Sequence, residues 1–294
     1  MRRLKLDGVL LLDKPVGPSS SAVLQAAKRL LEAKKAGHAG TLDPMASGLL
    51  PLLFGEATKF AQYGLDAVKE YRALVQLGAA TDTGDAEGQV TERKPVPVNA
   101  AAIEAALGRF RGEIDQVPPM FSALKRNGQP LYEIARSGKS VEREARRVTI
   151  YELELVARIE DRLDLRVRCS KGTYVRQLAV DLGAALSSAA HLAALRRTAV
   201  AGFRIEQAIS LDDLQALGPE ARRTWLLPPD RLLEDLPRQD LDPASAGRFL
   251  HGQAVATGAS AGRCRVYAQG LLLGVGEQGA QGLRPVRLLA QKTL

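Results

Sequence analysis

Apolar and polar positions near the start of the chain follow first a strand pattern and then a helix pattern. The apolar run GVLLL at residues 8–12 is short and predicts a buried first strand. Residues 18–37 place apolar side chains at helical spacing after a serine cluster suited to N-capping, with Gly37 as a stop signal. The sequence therefore begins with a predicted strand and a predicted amphipathic helix.

The middle of the chain mixes the two periodicities. Alternating, β-branched and aromatic residues predict strands over residues 71–82, 148–160 and 164–169. Helical spacing predicts a helix over residues 175–195, and a further strand is predicted over 198–205. Strands and helices mixed in this way predict an α/β or α+β architecture.

Two segments differ from this body of the chain. Residues 118–147 predict a basic, partly helical insertion, because they hold three acidic residues and seven basic ones: Lys125, Arg126, Arg136, Lys139, Arg143, Arg146 and Arg147. From about residue 240, short β-like stretches are separated by glycines. They predict a small β-rich domain at the end of the chain.

Composition and charge set outer limits on the function. A chain of 294 residues with 46% hydrophobic and 25% charged residues is typical of a globular protein with one large and one small domain. No uncharged apolar run is long enough for a membrane helix. Two distant cysteines and three scattered histidines predict a cytoplasmic protein without a structural metal. A net charge of +8 favours an anionic partner such as nucleic acid.

Three short motifs match known signatures only in part. GVGEQG at 274–279 fits GxGxxG, but only fifteen residues of the sequence follow it. They are too few for the helix, strand and acidic residue of a dinucleotide-binding unit, so a glycine-rich hairpin is predicted. Residues 82–84 (DTG) resemble half of an aspartic protease site whose second half does not occur in the chain. Residues 122–125 fit SxxK without the companion motifs SDN or KTG. A protease built from two copies is therefore only a distant hypothesis.

The stretch GHAGTLDPMASGLLP at residues 37–51 concentrates residues that can carry chemistry. On spacing alone, Asp43 and Pro44 are typical of a helix start, where the carboxylate caps the helix and proline takes the first helical position. In the same way, His38 is compatible with the last turn of the preceding helix. No single residue of this stretch predicts a function, so its interpretation depends on the whole constellation.

That constellation resembles the catalytic motif HxG[TA]LDPxAxGxLP of the TruB family of tRNA pseudouridine-55 synthases, bacterial type. Further stretches resemble family signatures in the expected order, at residues 7–20, 55–60, 71–88, 118–136, 169–183 and 191–203. The tail, with FLHGQAV at residues 249–255, is similar to a PUA domain, a small RNA-binding β-barrel. The resemblance thus extends over nearly the whole chain.

The resemblance implies an α+β pseudouridine synthase fold, in which helices flank a mixed central β-sheet. It implies a catalytic domain over residues 1–232, an RNA-contacting insertion over 118–147 and a PUA-like β-barrel over 240–294. The implied activity is the isomerisation of uridine 55 in the tRNA T arm to pseudouridine, with no cofactor, no metal and no obligate protein partner. The alternative is a tRNA-binding protein that helps RNA to fold, with catalysis secondary.

The resemblance also implies roles for residues of the pocket. Asp43 is implied as the catalytic carboxylate at the sugar, acting as nucleophile or as base. Arg176 is implied as its ion-pair partner, although a phosphate contact is the interpretation without the family. Tyr71 is implied to stack on the target base and to help remove the C5 proton. Tyr174 and Leu195 are implied to border the uracil, although either residue is also compatible with ordinary core packing.

The remaining implied residues support the catalytic turn or the RNA. Because the target base must leave its stack, His38 is implied to fill the gap that the base leaves. Lys14 and Gly40 are implied to support the turn, glycine permitting close approach of the backbone. The insertion at 118–147 is implied to contact phosphates, which makes binding sensitive to salt. A solvated charged helix is the alternative for that segment.

Overall fold

The computed structural model describes residues 3–96, 99–122, 124–126, 128–139, 141–258 and 260–290, with only the backbone described at residues 125, 126, 130 and 136. The helices are α1 (Ser20–Leu30), α2 (Ala61–Asp66), α3 (Ala100–Gly108), α4 (Leu131–Arg136), α5 (Val175–Ala185), α6 (Leu211–Ala216), α7 (Pro219–Arg223) and α8 (Pro243–Leu250). Short 3-10 segments cover Gly55–Phe60, Ile205–Gln207 and Pro229–Leu233.

The strands fall into a large set along the body of the chain and a small set in the tail. They are β1 (Gly8–Lys14), β2 (Ala36–His38), β3 (Ala46–Phe54), β4 (Lys69–Leu77), β5 (Ala79–Thr81), β6 (Val90–Arg93), β7 (Gly112–Gln116), β8 (Lys125–Arg126), β9 (Gln129–Pro130), β10 (Arg146–Ile159), β11 (Arg162–Cys169), β12 (Ala190–Val200), β13 (Phe203–Arg204), β14 (Ile209–Ser210), β15 (Arg238–Asp240), β16 (Gly262–Ala268), β17 (Leu271–Gly279) and β18 (Gly282–Leu288).

Ten of the described strands form one mixed sheet at the centre of the molecule. Its main path runs β14-β1-β3-β12-β4-β11-β10-β7, with β2 paired to β3 and β13 paired to β12. The pairs β1/β14 and β3/β12 are parallel, whereas the other pairs are antiparallel. A mixed sheet with packed helices, followed by a small sheet at the C-terminal end, confirms the predicted α+β architecture.

One face of the central sheet carries the main hydrophobic core. Alternate residues of β4 and β11 are buried there, including Ala73, Val75, Leu163 and Leu165, as the period of a strand requires. The apolar sides of α1, α3 and α5 pack on this face. The opposite face of β4, β11 and β10 is open to solvent and carries charged side chains.

The tail forms its own sheet, in the order β15-β16-β17-β18. Helix α8 begins at the cap Asp242, whose carboxylate accepts from the amides of Ala244 and Ser245, and it covers a separate small core. The glycine-rich hairpin predicted at residues 274–279 is confirmed, because Gly279 and Gly282 pair at the turn between β17 and β18. The predicted β-rich tail is therefore present.

Tertiary pairing overrides helical spacing in two places. The predicted helix 18–37 ends at Leu30, and Gly37 lies inside β2, which pairs with β3. The predicted helix 175–195 ends at Ala185, and residues from Ala190 onward form β12 between β3 and β4. Propensity is a weak signal where a neighbouring strand offers a full ladder of hydrogen bonds.

Other boundaries differ by a turn. The predicted strand 71–82 is divided at Gly78, whose φ of +84° suits glycine, into β4 and β5. The predicted strand 198–205 is likewise interrupted at Gly202. The helix start inferred from Asp43 and Pro44 is wrong, because β3 begins at Ala46. Among the described helices, none is long and apolar enough to span a membrane.

Candidate active site

A cavity of about 200 Å³ opens where the turn between β2 and β3 meets the start of α5. Five of the candidate residues line it together: Asp43, Tyr71, Tyr174, Arg176 and Leu195. An adjoining cavity of about 410 Å³ shares Asp43 and Arg176 and adds His38. The fold thus assembles one pocket from candidates that lie far apart in sequence.

The turn that carries Asp43 is fastened on both sides. The hydroxyl of Ser20, at the start of α1, donates to the carbonyl of Leu42 at 2.9 Å and accepts from its amide at 2.9 Å. The ammonium of Lys14 donates to the carbonyls of Ala46 at 2.7 Å and Pro15 at 2.9 Å. These bonds satisfy the backbone on each side of Asp43 and fix its direction.

Two glycines allow this turn to close against its neighbours. Gly40 has a φ of +118° and Gly48 a φ of +103°, a region that L side chains rarely adopt. A Cβ at Gly48 would lie 2.3 Å from the carbonyl oxygen of Arg197 on β12. Glycine at position 48 is therefore required by both conformation and space.

The Asp43 carboxylate is paired with a buried guanidinium. Nη2 of Arg176 donates to Oδ2 of Asp43 at 2.5 Å, and Nε lies 3.2 Å from Oδ2 of Asp85. The Arg176 and Asp85 side chains are 8% and 4% exposed, whereas the Asp43 side chain is 47% exposed. Asp85 is held in turn by the Thr83 hydroxyl, which donates to it at 2.6 Å. Arg176 thus presents Asp43 to the cavity from a fixed position.

Burial and neighbouring charges change the acid–base properties of the pocket. Burial lowers the pKa of Lys14, although the Asp43 carboxylate opposes this. Burial, and then the charge of Arg197, lower the pKa of His38, so its ring is neutral at neutral pH. Burial raises the pKa of the phenols of Tyr71 and Tyr174. The pocket therefore holds the Asp43 carboxylate together with two neutral phenols, those of Tyr71 and Tyr174.

The insertion at 118–147 borders the same pocket. Phe121, Ser122 and Tyr132 line the cavity beside His38 and Asp43. The side chains of three of its predicted RNA-contacting residues, at 125, 126 and 136, lie outside the described part of the chain. The described Lys139, Arg146 and Arg147 are exposed, and Arg147 lies 3.6 Å from Asp115.

Sequence reasoning missed four residues around the pocket. Ser20, Thr83 and Asp85 lie in stretches that resemble family signatures, but the sequence analysis gives none of them a role in the pocket. Thr83 and Asp85 instead orient Arg176, and the only available signal was an acidic, polar loop in a mixed fold. Arg197 was not singled out, because a second arginine in a strand gives no local sign of burial. Among the described residues, no group of three or more His, Cys, Asp or Glu side chains could hold a metal ion.

Three family models match the chain in sequence order. They are "TruB family pseudouridylate synthase (N terminal domain)" over residues 28–175, "tRNA pseudouridylate synthase B C-terminal domain" over 176–234 and "Pseudouridine synthase II TruB, C-terminal" over 237–289. Together they span most of the chain.

Curated proteins and a solved structure are similar to this chain over nearly its whole length. The chain is 56% identical to tRNA pseudouridine synthase B of Azoarcus sp. (strain BH72), over 98% of this chain and 96% of that protein. It is also 56% identical to tRNA pseudouridine synthase B of Burkholderia lata, over 98% and 91% respectively. The crystal structure of a Cbf5-Nop10-Gar1 complex is similar over 97% of this chain and 84% of that one, with a TM-score of 0.73 and 28% identity.

Proposed function

The chain belongs to the TruB family of pseudouridylate synthases, and we propose that it converts uridine 55 in the T arm of tRNA into pseudouridine. The observation that carries this proposal is the single pocket in which Asp43, Tyr71 and Arg176 meet. The isomerisation needs a carboxylate at the sugar, and Tyr71 supplies an aromatic ring on which the base can stack.

The isomerisation breaks the bond between C1′ and N1 of the uridine and forms one between C1′ and C5. The C5 proton then leaves to a base and N1 gains a proton, so no redox change occurs. Asp43 acts at the sugar, either by attacking C1′ or by removing the 2′ proton. Arg176 holds the Asp43 carboxylate in place through a charge-assisted hydrogen bond, so that it points at the sugar.

The uracil ring lies between the aromatic groups of the pocket. Tyr71 stacks on the ring, and its hydroxyl helps to remove the C5 proton. Tyr174 and Leu195 border the ring and exclude water. His38 fills the gap that the flipped base leaves in the RNA; its neutral ring can stack there without desolvating a charge.

The RNA is held by charge around this pocket. The insertion at 118–147 contacts the phosphates of the T arm, and its aromatic residues Phe121 and Tyr132 border the opening. Binding should therefore weaken as salt increases, while the shape of the arm and the flipped base supply selectivity. Lys14 and Gly40 act indirectly, by supporting the turn that carries Asp43. A tRNA substrate also favours the cytoplasm as the location.

We also propose that residues 1–232 form the catalytic domain and residues 240–294 a PUA-like domain that binds RNA. The tail has its own sheet and its own core, which includes Phe249, Val266 and Leu273. It also packs on the body, because Val275 is buried with Phe60 and Phe203. We therefore expect a single tRNA to contact both domains.

The decisive test is tritium release from an unmodified tRNA transcript labelled at C5 of uridine. We expect release by the wild type, and loss of at least about 1,000-fold in Asp43→Asn, because the amide is neither nucleophile nor base. A transcript with cytidine at position 55 should release nothing above background. Salt-sensitive binding and refolding of tRNA without any release would instead favour the RNA-folding alternative.

A further inference from the structure

We propose that Arg197 is a positioning residue for this reaction, which fixes the Asp43 turn (residues 40–49) and the Tyr71 ring relative to each other. The inference rests on the proposed function, since it concerns how sugar and base are held during the isomerisation. Its basis is a fully buried guanidinium that joins three parts of the pocket.

Arg197 holds both ends of the Asp43 turn. Its side chain is among the largest fully buried ones, with 1% of the residue exposed. Nε donates to the carbonyl of Leu49 at 2.7 Å, and Nη2 donates to the carbonyl of Gly40 at 3.2 Å. The two acceptors lie on either side of Asp43 in the sequence, so one planar group sets the width of the turn.

The same residue reaches the base side of the pocket. On β12, Arg197 lies directly opposite Gly48 of β3 and directly opposite Tyr71 of β4. Burial raises the pKa of the Tyr71 phenol, and the charge of Arg197 opposes this rise. Arg197 therefore stands between the strand that follows the catalytic carboxylate and the strand that presents the tyrosine.

A structural role alone explains this arrangement poorly. Among the described residues, no carboxylate forms an ion pair with Arg197, and its hydrogen-bond acceptors are backbone carbonyls. Burial of an arginine without a counter-ion is costly, and an apolar side chain would fill the space at a lower cost. The guanidinium is suited to the task because its donors point in fixed, coplanar directions, which a lysine ammonium does not reproduce.

The chemistry explains why the spacing matters. The detached uracil must turn until C5 faces C1′, while Asp43 holds the sugar and Tyr71 holds the ring. A displacement of about 1 Å between such groups is enough to cost about 100-fold in rate. Binding of tRNA depends instead on the surrounding surface, which Arg197 does not reach.

The test compares Arg197→Lys with Arg196→Lys. Arg196 is the adjacent residue, points to the opposite face of β12 and pairs with Asp13 in solvent. We expect Arg197→Lys to lower kcat by at least about 50-fold, with the Kd for tRNA within about two-fold of the wild type. Arg196→Lys should leave both values within about two-fold. A kcat for Arg197→Lys that matches the control, in an active wild-type enzyme, would overturn the inference.

A double-mutant cycle with Tyr71→Phe separates positioning from a general loss of structure. If Arg197 acts partly through the Tyr71 hydroxyl, the double variant should be at least about ten-fold more active than the product of the single effects predicts. Purely multiplicative effects would show that Arg197 does not act through the Tyr71 hydroxyl. If the lysine variant melts early, Arg197→Gln is measured by the same criteria. A wild type that forms no pseudouridine would remove the proposed function and this inference together.

Discussion

Similar charged side chains lie on the two sides of the central sheet in opposite environments. On the outer face, Arg166 pairs with Glu154 at 2.7 Å, and both side chains are about half exposed. On the inner side, Arg176 pairs with Asp43 and Asp85, and the Arg176 side chain is 8% exposed. Neighbouring residues of a single strand, Arg196 and Arg197, divide in the same way.

The contrast shows what burial adds to an ion pair. In solvent, water screens the charges and the pair holds neither partner firmly. In the pocket, Asp85, Thr83 and the start of α5 leave Arg176 a single position, so the charge that it presents to Asp43 is fixed. The outer pairs suit solubility, whereas the inner ones can orient a reacting group.

The largest difference between the faces is expected from Arg176→Met compared with Arg166→Met. Arg176→Met leaves the buried carboxylate of Asp85 unpaired, which should lower the free energy of unfolding by about 3–5 kcal/mol. It should also lower kcat by at least about 100-fold, because Asp43 loses its partner. Arg166→Met should change stability by less than about 1 kcal/mol. Urea unfolding measures the change in stability, and tritium release measures the change in kcat. Equal effects of Arg176→Met and Arg166→Met would contradict the distinction between the two sides of the sheet.

A smaller effect is expected from adding one methyl group at the inner turn. Gly48→Ala forces an L side chain into a positive φ and against the backbone of Arg197. We expect a loss of about 2–4 kcal/mol in the free energy of unfolding. Gly108→Ala is the control, because Gly108 is exposed and a Cβ there meets nothing within 4 Å. Similar melting temperatures for the two variants would contradict this account of the turn.

The smallest effect is a pH dependence from an inner-face lysine. Lys69 is buried, and burial followed by the charge of Arg197 lowers its pKa from 10.5 to about 8. Between these values the unfolded chain binds more protons, so stability should rise with pH by at most about 1.4 kcal/mol per unit. Urea unfolding from pH 8 to pH 10 should show that Lys69→Met loses this slope. The control variant Lys171→Met, at an exposed lysine, should keep this pH dependence of stability.

Much of the fold follows from local patterns. The strands β10 and β11 were predicted because alternation and β-branched residues mark a strand whatever its neighbours are. The strand β1 was predicted from a short apolar run, and β16, β17 and β18 from β-like stretches separated by glycines. The end of α5 was predicted ten residues too late, because residues 186–195 have helical spacing but lie between two strands that need a partner. In this segment, hydrogen bonding to the neighbouring strands outweighs helix propensity.

The sequence by itself determined the family and the residues proposed for the pocket, because Asp43, Tyr71 and Arg176 lie in contiguous motifs. Only the tertiary structure decided which other side chains join them. Asp85 and Arg197 enter the site through contacts with residues far away in sequence, and the choice between Arg196 and Arg197 depends on which face of β12 meets the core. Burial, which turns an ordinary arginine into a fixed group, is a property of the assembled sheet and has no local signature.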